Sequence, residues 1–207
     1  MTRIVALDTT GQFGSLALLE DGAVVEEMLL ESPDGFAHVL FPQLERLMLR
    51  HGWKYESVTG YAAGAGPGSF TGVRVGLAAV KGLAEASGAL AAAVSNLEAM
   101  ATYGTGAWRA PFYDARRGEI YGAVYDGRLG LHGHEVVARF PAWRASLPSG
   151  VELLTPDPSI FGVEATVTPR ALAGAIGRLG ADRLVDPVGL DANYVRRSDA
   201  ELNWVDR

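Results

Sequence analysis

Short apolar runs separated by turn residues open the chain. Arg3-Ile-Val-Ala-Leu7 reads as a buried strand, and Asp8-Thr-Thr-Gly11 as turn chemistry. Ser15–Leu19 and Ala23–Leu30 read as two further strands, and Asp21-Gly22 between them is a hairpin signal. The period then lengthens. Leu40, Leu44, Leu47 and Met48 share one helical face, which predicts a helix over about Phe36–Arg50. Pro42 removes a backbone donor there, so a kink or a late start is expected. Val58–Ala65 predicts a fourth strand and Ala89–Val94 a fifth. Ser95 with Glu98 three residues on has the spacing of a capping box.

Between those two strands lies the stretch with the most unusual composition, Gly64 to Ala84. It opens as a glycine-rich turn and continues with helical periodicity over about 69–87. Phe70, Val73, Leu77, Val80 and Ala84 form one apolar stripe, and Gly72, Gly76, Ala79 and Leu83 form a stripe of mostly small residues beside it. Interior glycine costs a helix about 1 kcal/mol relative to alanine, so a compensating gain is expected. Three readings fit: a phosphate-binding loop, a tight connection into a buried helix, and a helix packed on its own core and on a partner chain. The Walker spacing is missing, and the third glycine of a dinucleotide fingerprint does not fall in place. The third reading is the one carried forward. It makes Val39, Leu40, Gln43 and Leu47 of the first helix interface residues. From the second helix it adds Phe70, Gly72, Val73, Gly76, Leu77, Ala79, Val80 and Leu83.

The second half is less regular. Ala110–Asp114 and Glu119–Tyr125 predict paired strands around Arg116-Arg117-Gly118. His134–Phe140 and Val151–Thr155 predict two more strands, and Pro169–Leu179 a helix. The order β-β-β-α-β-α-β-α of the first half is that of a ribonuclease H-like module. We therefore expect an α/β fold with a first module over 1–105, a boundary near Gly104-Thr-Gly106, and a smaller, truncated second module over 106–207.

Composition narrows the function. A chain of 207 residues that is 48% hydrophobic can build a substantial core. It has no cysteine, hence neither a disulfide framework nor a thiolate metal site. No run of eighteen apolar residues and no signal-peptide pattern is visible, so a cytoplasmic protein with no membrane contact is expected. Net charge is −6, with −5 in residues 1–105. That argues against a protein that binds nucleic acid unaided, because phosphate contacts need clustered Lys and Arg. The adjacent basic pairs Arg116-Arg117 and Arg196-Arg197 are candidates for phosphate or RNA contact, since guanidinium forks suit phosphate. His132 and His134 alternate as on one strand face, but two ligands make a poor zinc site, so no metal is expected. Asp8, Thr9 and Thr10 end the first strand, where a carboxylate and hydroxyls could meet a nucleotide and Mg²⁺. A turn in which these side chains bond nearby backbone is the plainer reading.

Gly66-Pro-Gly-Ser-Phe-Thr-Gly-Val-Arg-Val-Gly-Leu77 resembles the signature of the TsaB family, also called YeaZ. Leu7-Asp-Thr-Thr10, Tyr113–Tyr121 and Tyr194–Glu201 agree with it in order. The resemblance implies tandem ribonuclease H-like modules of the actin, hexokinase and Hsp70 superfamily. It implies a non-catalytic subunit that stabilises the catalytic TsaD, with the ATPase TsaE bound to the assembly. The complex would make N6-threonylcarbamoyladenosine at position 37 of tRNAs reading ANN codons, with tRNA met only through the complex. Alone, the chain would form a homodimer through its first-module helices, and no cofactor is implied. TsaD holds metal with an H-x-x-x-H pair; here Pro42 stands four residues after His38, so that pair is missing. Asp114-Ala-Arg-Arg-Gly118 stands where a second phosphate loop would carry aspartate, glycine and threonine, which leaves Asp8, Thr9 and Thr10 as a vestigial nucleotide site. The alternative function is an ATP-dependent phosphotransferase or ATPase of the same superfamily working through Asp8.

Overall fold

The computed structural model describes residues 1–196. β1 (Arg3–Asp8), β2 (Phe13–Glu20) and β3 (Ala23–Glu31) form an antiparallel meander. Asp21 and Gly22 both have positive φ, 47° and 82°, as a primed hairpin turn requires. α1 (Leu40–Arg50) starts late, which leaves Pro42 in the first turn, where its missing N–H has no intrahelical acceptor. β4 (Gly60–Gly66) pairs parallel to β1, and β5 (Leu90–Ser95) parallel to β4, giving the order β3-β2-β1-β4-β5. Every residue of β4 is buried, as befits a central parallel strand. α2 (Phe70–Ser87) is capped by Ser69, whose Oγ accepts from Gly72 N at 3.3 Å, and ends on Gly88 at φ 67°.

The second sheet repeats the first. β6 (Trp108–Arg116), β7 (Glu119–Gly122) and β9 (Val136–Arg139) are antiparallel, β10 (Glu152–Thr155) and β11 (Thr166–Val167) are parallel, and the order is β11-β10-β6-β7-β9. β8 (Tyr125–Asp126) pairs with β6 beside this path. α4 (Phe140–Ser146), unforeseen in the sequence, takes the place of α1, and its Trp143 joins Phe112, Phe140 and Phe161 in an aromatic core. Only the single 3-10 turn Pro158–Ile160 stands where α2 stands in the first module. These are tandem ribonuclease H-like modules with the second one shortened.

Two long-range placements decide the organisation, and the second corrects the expected extent of the second module. α3 (Asn96–Ala101) is buried at all six positions between the sheets, with Met100 in the first core and Leu97 against β6–β7 residues. α5 (Ala173–Ala181) does not belong to the second module. It returns to the free face of the first sheet, where Ile176 packs with Ala6, Leu19 and Ala92. The segment around α5 thus completes the first module, because that sheet's second apolar face would otherwise face water. The opposite face is covered by α1 and α2.

Candidate functional site: the cleft between the modules

Sheet β1 and sheet β6 point their carboxyl ends at a shared cleft of about 960 Å³, the place where open α/β folds gather ligand groups. Asp8, Thr9 and Thr10 line its floor. All three side chains are spoken for. Asp8 Oδ1 accepts from Thr10 N at 2.9 Å and Thr10 Oγ1 at 2.7 Å, and Asp8 Oδ2 accepts from Asn96 Nδ2 at 3.0 Å. Thr9 Oγ1 donates to the Gly72 carbonyl at 2.7 Å. Burial pushes the Asp8 carboxyl above its ordinary pKa, outweighing the hydrogen bonds from Thr10, Asn96 and Thr9 that pull it down. Gly64 makes room for this: a Cβ there would stand 2.9 Å from both Asn96 Oδ1 and Asp8 Oδ1.

Residues that the sequence reading passed over lock the modules around the Gly66–Gly68 turn. Asn96 Oδ1 accepts from Gly66 N at 3.0 Å. Tyr113, from β6, crosses to donate to the Pro67 carbonyl. Glu135 accepts from Ser95 Oγ, from Tyr125 OH at 2.8 Å and from Asn193 Nδ2 at 2.5 Å. Asn193 N in turn donates to the Ala65 carbonyl at 2.8 Å. The available signal was position: Asn96 directly follows a parallel strand, at its carboxyl end.

The expected interface residues need correction. Leu40, Leu47, Gly72, Val73, Gly76, Leu77, Ala79 and Val80 are buried in this chain's own core. A Cβ on Gly72 would overlap the Thr9 carbonyl oxygen, and one on Gly76 would sit 2.7 Å from Thr9 Oγ1. The glycine stripe therefore lets α2 approach the β1–β2 turn of the same chain. Val39, Gln43 and Leu83 are half-buried, and Phe70 is exposed. The exposed residues of α2 include Thr71, Arg74, Ala78, Gly82, Glu85 and Ala86, with Val75 half-buried, and those of α1 include Phe41 and Leu49. A Cβ on Gly82 would meet nothing within 4 Å.

Of the basic pairs, Arg197 lies outside the described residues. Arg196 is committed internally: it donates to the Ala115 carbonyl at 2.9 Å and to Glu119 Oε2 at 2.5 Å, with its guanidinium 5.6 Å from the Tyr121 ring centre. Arg116 and Arg117 are exposed on the β6–β7 turn. Ser95 caps α3 as expected, accepting from Leu97 N and Glu98 N, but Glu98 turns away to make a bidentate pair with Arg183. His132 and His134 precede β9 rather than lying on it, and His132 stands edge-on to Trp108. Among the described residues no three His, Cys, Asp or Glu side chains gather as a metal site, and no helix is long and apolar enough to cross a membrane.

Comparison with known proteins agrees with this architecture. A family model described as "TsaD: tRNA N6-adenosine threonylcarbamoyltransferase" matches residues 33–137. The Escherichia coli tRNA threonylcarbamoyladenosine biosynthesis protein TsaB is 36% identical over 145 residues, 66% of this chain and 61% of that protein. This chain thus spans about three-fifths of the length of that relative. The Bacillus subtilis TsaB is 26% identical across 98% of both chains. The solved structure of YeaZ from Pseudomonas aeruginosa superposes with a TM-score of 0.76 at 27% identity, covering 94% of this chain and all of the other. Signature, repeated topology and matches converge: the chain belongs to the TsaB (YeaZ) family.

Proposed function

We propose that this chain is a non-catalytic partner subunit in N6-threonylcarbamoyladenosine synthesis. It stabilises the catalytic TsaD, in an assembly that TsaE joins and that modifies adenosine 37 of tRNAs reading ANN codons. The reading rests chiefly on Asp8. A carboxylate that is to hold Mg²⁺ or activate a nucleophile needs free lone pairs facing substrate. Three donors, two from Thr10 and one from Asn96, already take most of the acceptor capacity of the Asp8 carboxylate. The turn of the hairpin opposite is Arg116-Arg117-Gly118, and Asp114, which also lines the cleft, accepts from the Arg116 backbone N–H.

The partner surface we assign is the outer faces of α1 and α2: Phe41 is 46% and Leu49 77% exposed on α1, and the small residues Ala78 and Gly82 are exposed on α2. Small side chains allow helix axes to approach closely. Without TsaD the same face closes on a second copy, since an isologous patch is self-complementary. Ala78→Arg tests this. We expect a near-normal melting temperature, with loss of homodimer mass, of TsaD binding and of reconstituted modification of tRNA by TsaD and TsaE. A variant that still binds TsaD and supports full activity removes the role of this face. Metal-dependent, multiple-turnover ATP hydrolysis by the isolated chain, abolished by Asp8→Asn at unchanged fold, favours the phosphotransferase reading instead.

A further inference from the structure

We propose that Arg116 forms a phosphate-binding site, taking the phosphate of a nucleotide unit, in the side pocket where the β6–β7 hairpin meets the start of α2. The pocket holds about 250 Å³ and is lined by Gly68, Phe70, Arg116, Arg117, Tyr121 and Tyr194, among others. It adjoins the main cleft, with Gly68, Arg116, Tyr121 and Arg196 lining both.

The backbone holds Arg116 in an unfavourable conformation. The turn needs left-handed residues only at Arg117 and Gly118, with φ 57° and 75°. Arg116 is left-handed as well, at φ 70°, where the β6–β7 register slips between Asp114 and Arg116. Left-handed backbone disfavours a side chain with a Cβ, and bulges of this kind re-aim a side chain. The neighbours enforce the arrangement: Asp114 Oδ1 accepts from Arg116 N at 2.8 Å, and Arg196 clamps the Ala115 carbonyl and Glu119. Glycine would fit Arg116's position without strain. The strained position nonetheless carries an arginine, whose side chain lines the pocket.

Chemistry narrows the ligand. Arg116 makes no side-chain hydrogen bond or ion pair with another described residue, and its guanidinium is a five-donor group suited to phosphate oxygens. The acidic residues of the same hairpin are engaged, Asp114 with the Arg116 backbone and Glu119 with Arg196. The far wall is aromatic: Phe70 and Tyr194 lie 5.0 Å apart, are 38% and 45% exposed, and carry the Arg74 guanidinium 3.7 Å from the Phe70 ring centre. Phosphate beside a ring is the chemistry of a nucleotide. A net charge of −6 favours a free nucleotide over a long strand, but the same contact serves either.

The test uses the full chain with three probes: AMP, adenosine, and a single-stranded RNA of about ten nucleotides, within the span of known single-strand sites. We expect AMP to bind more tightly than adenosine, and Arg116→Gln to weaken AMP at least tenfold while Arg46→Gln on α1 does not. Arg116→Gly should lose binding to the same degree while raising the melting temperature. RNA binding with the same Arg116 dependence and no AMP binding also supports the site and names the strand as the source. The proposal is overturned if neither phosphate probe binds, if adenosine matches AMP, if Arg116→Gln binds as wild type, or if Arg116→Gly lowers the melting temperature. None of these measurements involves TsaD, so the result is separable from the role proposed for the helices.

Discussion

Asn96 Nδ2 donates to Asp8 Oδ2 at 3.0 Å, joining residues 88 apart in sequence at the floor of the cleft. Asn96 Oδ1 is meanwhile filled by Gly66 N, so the amide cannot turn over without losing a partner. This pair therefore has a defined polarity, carboxylate on one side and amide on the other.

That polarity is testable by exchange. Asp8→Asn sets two amide NH₂ groups against each other and should cost about 1–3 kcal/mol, the range for an unsatisfied buried polar group. Asn96→Asp sets two buried carboxylates together and should cost more at neutral pH. The exchanged double variant restores a donor between the two side chains and keeps the acceptors for Thr10 and Gly66. Chemical denaturation of the four proteins should give a favourable coupling energy. Additive losses would show that the contact carries no polarity.

Acid titration offers a second check. Burial raises the Asp8 pKa, so the native chain keeps this proton to a higher pH than the unfolded chain does. In the window from the ordinary aspartate value of about 4 up to the raised value, the native state binds more protons, and stability falls as pH rises. Above the window the difference is constant. Stability measured against pH for wild type and Asp8→Asn should diverge over that window only, and parallel curves would contradict the burial argument.

The glycines of α2 predict opposite outcomes for one substitution. Gly72→Ala drives a methyl group into the Thr9 carbonyl, so the isolated chain should lose stability by about 1–3 kcal/mol or more, as overpacking does. Gly82→Ala meets open space and should stabilise the isolated chain by up to about 1 kcal/mol. If a partner helix docks there as proposed, Gly82→Ala should also weaken association. Thermal melts and light scattering on both variants decide each point.

Tyr113→Phe removes the hydroxyl that reaches the Pro67 carbonyl from the second module. A loss of about 0.5–1.5 kcal/mol is expected for one net hydrogen bond. Glu135→Gln should cost more, because Glu135 gathers Ser95, Tyr125 and Asn193 at once, and an amide oxygen accepts fewer of them. Faster hydrogen exchange at the Gly66–Gly68 turn in both variants would tie that turn to the module contact. Unchanged exchange would separate them.

Local pattern determined much of this protein. The short apolar runs and turn chemistry of residues 3–31 indicated the three strands of the meander, because tight turns between such runs leave consecutive strands to pair as hairpins. Leu40, Leu44, Leu47 and Met48 revealed a helix through their spacing alone. The sequence also carried the family signature and the suspicion that Asp8 closes a turn. Tertiary structure decided what those residues face. A stripe of small residues looks the same whether it meets a partner helix or its own chain, and only the position of the β1–β2 turn sent Gly72 and Gly76 inward. Likewise, nothing local tells that α5 returns across a module to cover the first sheet. Nor does it tell that Glu135 will meet Ser95 and Asn193. Those contacts join distant segments, so they depend on where two completed sheets come to rest.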